Sequence, residues 1–300
     1  MTLALRLLLT GSALVCLLGT LACSSEPGRE GSVSNGNDTD NGSGGSNPGG
    51  GTGGNLLNPG EEPTGEEDCD SVLPIVYRDF KEEHPDFEME FSGDEVRLGL
   101  VEAELGADKK PVFKHSVGCP WGFNDGKPRE CANGWNPTQP VITSADSFYS
   151  WYRDVPDVNH TFERSLVLQD VGGGKFEYSN NEFFPLTPEE GWGPTPTNQS
   201  KNYLFTTEVH VRFKYVAGQT FSFTGDDDLW IFVNGKLALD LGSMHLPKSG
   251  TIDFDALKDE LGITPGGSYD MDIFHAERHT SESNFKIETN ISCFEPVVVR

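Results

Sequence analysis

Hydrophobic and polar positions alternate through Leu204–Tyr215, inside the run Asn202 to Val216, as expected for a strand with one buried face. The same pattern, or short apolar runs bounded by turn residues, predicts further strands at 220–224, 229–233, 236–241, 251–254, 269–274 and 285–291. Asn234-Gly235 separates two of these runs and is a strong hairpin signal. Gly172-Gly173-Gly174 marks a turn between strand-like segments at 166–170 and 176–178. Helical periodicity is limited to 145–153 and 255–261. Many short strands, with one or two short helices, predict a mainly β chain folded as an antiparallel sandwich or a closed, barrel-like relative of one.

The first 68 residues break this pattern. Arg6 precedes an apolar stretch from Leu7 to Leu21, too short for a membrane-spanning helix and arranged like an export signal over 1–22. Ala22-Cys23-Ser24 resembles the junction of a bacterial lipoprotein signal, which implies lipidation at Cys23; ordinary cleavage after Ala22 is the alternative. Ser24 to Asp68 has almost no large apolar residue and is rich in Gly, Ser and Asn, so 23–68 is expected to be a lipidation site and a tether. Such a coil spans on the order of 40 Å. The globular domain is then expected over 69–300, placed in the cell envelope as a surface-exposed outer-membrane lipoprotein, or alternatively secreted.

Composition narrows the partners. The formal net charge is −25, from 47 acidic and 22 basic side chains, which argues against nucleic acid because phosphate binding needs concentrated Lys and Arg. Four cysteines fall in the exported domain, and an even number there favours two disulfides with three possible pairings. Cys119 and Cys131 flank a short Gly- and Pro-containing segment, while Cys69 and Cys293 lie near the domain's two ends, so 119–131 and 69–293 are the expected bridges. No Cys or His spacing suggests zinc, Gly172-Gly173-Gly174-Lys175 is followed by Phe176 rather than by the Ser or Thr of a phosphate loop, and no GxSxG elbow or cysteine-nucleophile motif occurs.

Several motifs occur together in a recognisable order: Arg78-Asp79-Phe80, His84-Pro85-Asp86-Phe87, Trp151-Tyr152-Arg153-Asp154, Phe183-Phe184-Pro185-Leu186, the run from Phe223 to Lys236 that contains Asp226-Asp227-Asp228, and Ala276 to Phe285. Together they resemble a fibro-slime domain, a family similar to the PA-14 superfamily, over nearly all of 76–292. The resemblance implies a twisted β-sandwich with a calcium ion held by two adjacent aspartates and a later loop. Those aspartates correspond to Asp226 and Asp227, with Asp228 where the superfamily often has glycine, and the later loop to Arg278–Asn284. The expected metal set is Asp226, Asp227, Asp228, Glu277 and Asn284, with Arg278 and His279 at the ligand.

The residues themselves support a cation. Three consecutive carboxylates repel one another, and a hard divalent ion stabilises them ionised; a flexible oxygen-rich loop suits calcium better than magnesium. A solvated acidic turn before a strand is the alternative. His275, Glu277 and His279 fall at alternate positions and would share a strand face, which offers a transition-metal reading. Tyr269, Met271 and Ile273 lie on that face too, and favour inward-pointing, hydrogen-bonded side chains instead. Trp121 and Trp192, in Gly- and Pro-containing loops, are the candidate sugar-stacking rings, although such aromatics more often fill a core. The expected function is a non-enzymatic, calcium-dependent carbohydrate-binding or adhesion module with an extracellular glycan or matrix partner. A structural matrix protein that calcium only stabilises is the first alternative, and a glycoside hydrolase the second.

Overall fold

A computed structural model describes residues 71–90, 93–121, 138–197 and 200–299. The export signal, Cys23, the tether, Cys69 and Cys131 lie outside them. In chain order the strands and helices are β1 (Val72–Phe80), β2 (Arg97–Leu98), β3 (Cys119–Pro120), α1 (Ala145–Tyr149), β4 (Asn159–Val167), β5 (Gln169–Gly172), β6 (Lys175–Asn180), β7 (Phe205–Lys214), β8 (Thr220–Gly225), β9 (Asp228–Val233), β10 (Lys236–Leu241), β11 (Lys248–Asp253), α2 (Phe254–Leu261), β12 (Ser268–Glu277), β13 (Phe285–Thr289) and β14 (Glu295–Pro296). A 3-10 turn at Ser150–Tyr152 extends α1. No helix among the described residues is long and apolar enough to cross a membrane.

Two antiparallel sheets dominate. One has the order β10-β9-β12-β7-β1-β4, with β14 also on β7; the other runs β11-β8-β13-β6-β5. Neither closes on itself, so the architecture is the sandwich and not the barrel. Their facing sides form one apolar core that joins Ile75, Val209, Ile231 and Ile273 of the first sheet to Phe223 and Ile287 of the second. The expected strands are present within a few residues. The 145–153 segment divides into α1 and the 3-10 turn, and the apolar Leu168 separates β4 from β5.

Local sequence explains the ends. Asn234 and Gly235 take φ of 53° and 75°, the left-handed pair of a tight hairpin that joins β9 to β10. Ser144 and Ser147 cap the start of α1 reciprocally, and Asp253 accepts from the Ala256 N–H to start α2.

The first sheet is covered on its outer side as well, mainly over β9 and β12, with Phe80 at the end of β1 and Thr206 of β7 also meeting the covering layer. There Trp230, Phe232 and Phe274 pack against Phe148, Trp151 and Tyr152 in a second core. Residues 229–233 therefore read as a continuous apolar run, because alternate side chains enter two different cores.

Past this layer, over β7, β1 and β4, the outer face is polar. His210 and Asp272 are cross-strand partners of β7 and β12, with His210 Nδ1 2.6 Å from Asp272 Oδ1. Its other ring nitrogen meets Glu208. Two carboxylate acceptors require both nitrogens to carry protons, so the imidazole is cationic. Burial alone would lower the His210 pKa, but the hydrogen bonds to Asp272 and Glu208 outweigh it and raise it. A raised histidine pKa contributes stability that is complete below the unfolded value of about 6.5 and is lost as pH rises through the folded value. The native chain should accordingly lose its stability advantage over His210→Gln as pH climbs above neutrality, read by urea unfolding at a series of pH values. An advantage that grew with pH would mean a neutral ring.

Candidate functional site

Three connections pass from one sheet to the other at the same end of the sandwich: β8 to β9, β10 to β11, and β12 to β13. The first is only Asp226-Asp227. Asp227 takes a left-handed φ of 58°. Gly225 has no room for a side chain, since a Cβ would lie 2.7 Å from the Asn284 carbonyl oxygen and 2.6 Å from the Phe223 ring. That close approach lets the β12–β13 loop grip the aspartates. The Asn284 N–H donates to Asp226 Oδ1 at 2.6 Å, and the Arg278 N–H donates to Asp227 Oδ2 at 2.7 Å. From the β10–β11 connection, the His245 carbonyl accepts from the Asp227 N–H at 3.2 Å.

These loops enclose a cavity of about 180 Å³ whose lining includes Asp94, Asp226, Asp227, His245, His279 and Glu282. Burial raises the Asp226 pKa, with Glu282 adding to it and the Asn284 hydrogen bonds opposing it. Asp227 is also raised, first by burial and then by the charges of Asp228 and Asp226, against the opposing Arg278. Glu277, 1% exposed, is raised well above its usual range by burial and then by Asp227 and Asp226. Its Oε2 is buried without a hydrogen-bond partner among the described residues. Three carboxyl groups thus crowd one another beneath a small cavity. The oxygen-only donors of Asp226 and Asp227, with the orphaned Glu277 oxygen beside them, suit a hard cation. Among the described residues, no group of three or more His, Cys, Asp or Glu side chains has the arrangement of a complete metal site. Carbonyl oxygens or water would have to complete the coordination.

The other candidates sort differently. Asp228 accepts from Arg278 Nε at 2.6 Å and from the Ser243 N–H at 2.6 Å, so it belongs to an internal ion pair rather than to the cavity. Arg278, expected at the ligand, is fully buried. One terminal nitrogen donates to the carbonyls of Asp86 and Val141 at 2.9 and 2.8 Å, and the guanidinium lies 4.7 Å from the Trp151 ring centroid. It ties the loop to the second core. Asn284 clamps Asp226 through its backbone N–H, and its side-chain nitrogen lies 3.4 Å from Asp226 Oδ2. His279 reaches the cavity, half exposed, with Glu88 4.0 Å away.

The shared strand face ends at Glu277, where β12 stops, so His279 leaves the line. His275 is buried and its pKa is pushed down to about 3 by burial, which makes it neutral. The Thr207 hydroxyl lies 3.4 Å from its Nδ1. Among the described residues no Arg or Lys pairs with Glu277; the Ser283 hydroxyl and the His279 backbone are its hydrogen-bonding neighbours.

Neither tryptophan lines the cavity. Trp121 is partly buried against the main core. Trp192 stacks on His160 at a centroid distance of 3.9 Å and carries the Lys81 ammonium 3.6 Å from its ring, so its surface is used within the protein. Cys119 and Cys293 are each disulfide-bonded, while Cys131 and Cys69 lie outside the described residues. The sequence reading missed Asp94, His245 and Glu282. Asp94 is more than 100 residues from the aspartate pair, and no local spacing marks it.

Residues 191–294 match the family model of the PA14 domain, a span that includes β7 to β13 with Asp226, Asp227 and Glu277. Among curated proteins, psiD of Dictyostelium discoideum is 36% identical over 212 residues, 69% of this chain and 38% of that protein. Protein psiJ of the same organism is 34% identical over 239 residues, 74% of this chain and 31% of its own length. The chain thus spans well under half of these relatives. Among solved structures, the Epa9A adhesin domain from Candida glabrata, in complex with Galb1-4GlcNAc, aligns with 76% of this chain and 94% of its own at 12% identity and a TM-score of 0.30. A PA14 sugar-binding domain from an RTX adhesin aligns with 34% of this chain and 55% of its own, at 14% identity and a TM-score of 0.22. The segment 191–294 of this antiparallel sandwich is thus similar to a PA14 domain.

Proposed function

We propose that this chain is a calcium-dependent carbohydrate-binding or adhesion module of an extracellular matrix, held at the cell envelope by a lipid on Cys23 and extended on the 23–68 tether. The observation that carries the reading is the crowding of Asp226, Asp227 and Glu277 beneath the cavity at the crossover end. The match to the PA14 family over this same segment supports it.

Asp226 and Asp227 would hold the cation, their carboxylates aimed by the backbone N–H groups of Asn284 and Arg278. Bound calcium would supply the compensating charge and open coordination positions for paired hydroxyls. Asp94, His279 and Glu282 form the rim against which a sugar would be selected. Bridges 119–131 and 69–293 would hold the fold in an oxidising compartment. The role is one of binding and not of catalysis.

The test is retention of the purified chain on immobilised neutral glycans in calcium and in excess chelator, with circular dichroism in both buffers. Retention that depends on calcium while the β spectrum persists is the expected result. Calcium-independent retention would overturn the metal's role in binding. A spectrum stabilised by calcium without glycan retention would favour the structural matrix protein. For the anchor, Cys23→Ser should release the chain from membranes, whereas an unchanged distribution would exclude lipidation at that residue.

A further inference from the structure

The uncovered outer face of the first sheet contains a groove of about 570 Å³, and its construction can be followed along the strands. β1 pairs with β7 from Asp79 down to Ile75 and no further. Pro74, the next residue, has no N–H to give to the ladder. β14 takes over the same edge of β7 at Val211 and Arg212, and the Val297 N–H donates to the His210 carbonyl at 3.1 Å. β1 and the C-terminal segment therefore splay apart above β7. The space between them is walled by Pro74 and Val76 on one side and by Val297–Val299 on the other.

The floor is a paired charge network. Glu208, 1% exposed, accepts from Arg78 at 2.6 Å and meets Lys110 and His210 through its other oxygen. Arg78 Nε donates to Asp154 at 2.9 Å, and the Thr161 hydroxyl donates to the same Asp154 oxygen at 2.8 Å. Burial would raise the Glu208 pKa, but His210, Arg78 and Lys110 together bring it down to about 2, so it is a fixed anion. With the lining pair Glu163 and Arg164 included, four cations, Arg78, Lys110, Arg164 and His210, stand against four anions, Glu208, Asp154, Glu163 and the Asp272 behind His210.

This balance decides the guest. A groove without net charge has no long-range preference for an anion or a cation. It still offers both kinds of hydrogen-bonding group. The second terminal nitrogen of Arg78 has no partner among the described residues, and Asp154, with its side chain 69% exposed, has one oxygen outside these bonds. Thr161 and Ser165 add hydroxyls from β4. A ligand that satisfies donors and acceptors at close spacing and also covers Val76 and Val297 is neutral, polyhydroxylated and partly apolar on its faces. We propose that this groove is a second binding site, separate from the aspartate loop, for one or two residues of a neutral saccharide. With no Phe, Tyr or Trp ring in the lining among the described residues, binding is weak, in the millimolar range, and gains its effect when one polymer also engages the crossover end.

The test is a titration of the isotope-labelled full chain, in calcium-replete buffer, with lactose, cellobiose and maltotriose, and with glucuronic acid and glucosamine as charged comparators. Backbone amide shifts locate each event. Saturable shifts at Thr161, Glu163 and Ser165 are expected for the neutral sugars, with the charged comparators weaker. Ser165→Leu, an exposed position on β4, should remove a hydroxyl, narrow the groove and weaken binding about tenfold, and Asp154→Ala should weaken it independently. No shift on β4, shifts that survive both substitutions, or tighter binding of either charged sugar would overturn the proposal. Binding at Asp226–Asn284 would appear at different amides, so the two sites succeed or fail separately.

Discussion

Arg278→Met is expected to leave the chain unfolded, or close to it, under conditions where the native protein is stable. The guanidinium is fully buried and joined to Asp228, to two backbone carbonyls from distant segments and to the Trp151 ring. Its removal leaves Asp228 an uncompensated charge with no exposed surface, and breaking a buried pair in this way costs on the order of 3–5 kcal/mol. The carbonyls of Asp86 and Val141 lose their donor at the same time. Urea unfolding measures the loss, and Arg278→Lys should recover only part of it because an ammonium lacks the planar fork. A variant with native stability would show that Asp228 does not depend on Arg278. Such a result would remove the main tie between the crossover loop and the second core.

The second large effect is a calcium stabilisation that grows with pH. The pKa values of Asp226, Asp227 and Glu277 are raised in the folded chain, that of Asp227 to about 8. A carboxyl whose folded pKa lies above its unfolded value contributes stability that is complete below about pH 4 and is lost as pH rises through the folded value. The calcium-free chain should therefore weaken between about pH 4 and pH 8. Calcium bound as proposed would remove the reason for the loss, because the carboxylates would then ionise against a cation. Since a tenfold change in a protonation equilibrium is worth about 1.4 kcal/mol, the difference at pH 8 should reach several kcal/mol. About 1 kcal/mol moves the midpoint of a domain this size by ~2–4 °C. Thermal unfolding at pH 5 and pH 8, with calcium and with chelator, should show a small calcium increment at the lower pH and a large one at the higher. Equal increments would mean that the acids are not what the cation relieves.

Much of the fold was legible because its strands obey two simple patterns. β7 announces itself by alternation and β9 by a short apolar run, and Asn234-Gly235 fixes the hairpin between β9 and β10. β1 was hidden by Pro74, which argues against a central strand until the ladder is seen to stop just after it. β4 was hidden because it is an edge strand with most of its side chains exposed. The site divides in the same way. Asp226 and Asp227 stood out as neighbours in sequence, and their partner loop at Arg278–Asn284 followed from the family resemblance. Asp228 looked equivalent to them, yet the strand's alternation turns it inward, where Arg278 meets it. Arg278 looked like a ligand group for want of any sequence signal that Asp86, Val141 and Trp151 surround it. Such convergence of remote segments is set by sheet order, which local spacing does not encode.

The most direct test of the calcium-dependent reading is a calorimetric titration of the purified chain with calcium, beside the Asp226→Asn/Asp227→Asn double substitution. Replacing both carboxylates with amides relieves their repulsion and keeps one acceptor oxygen on each for the Asn284 and Arg278 N–H groups, so the variant should fold at least as well as the native chain in chelator. Saturable binding by the native chain, absent in the folded variant, is the predicted result. No binding by the native chain at millimolar calcium, or equal binding by both, would contradict the assignment of Asp226 and Asp227 as the calcium site.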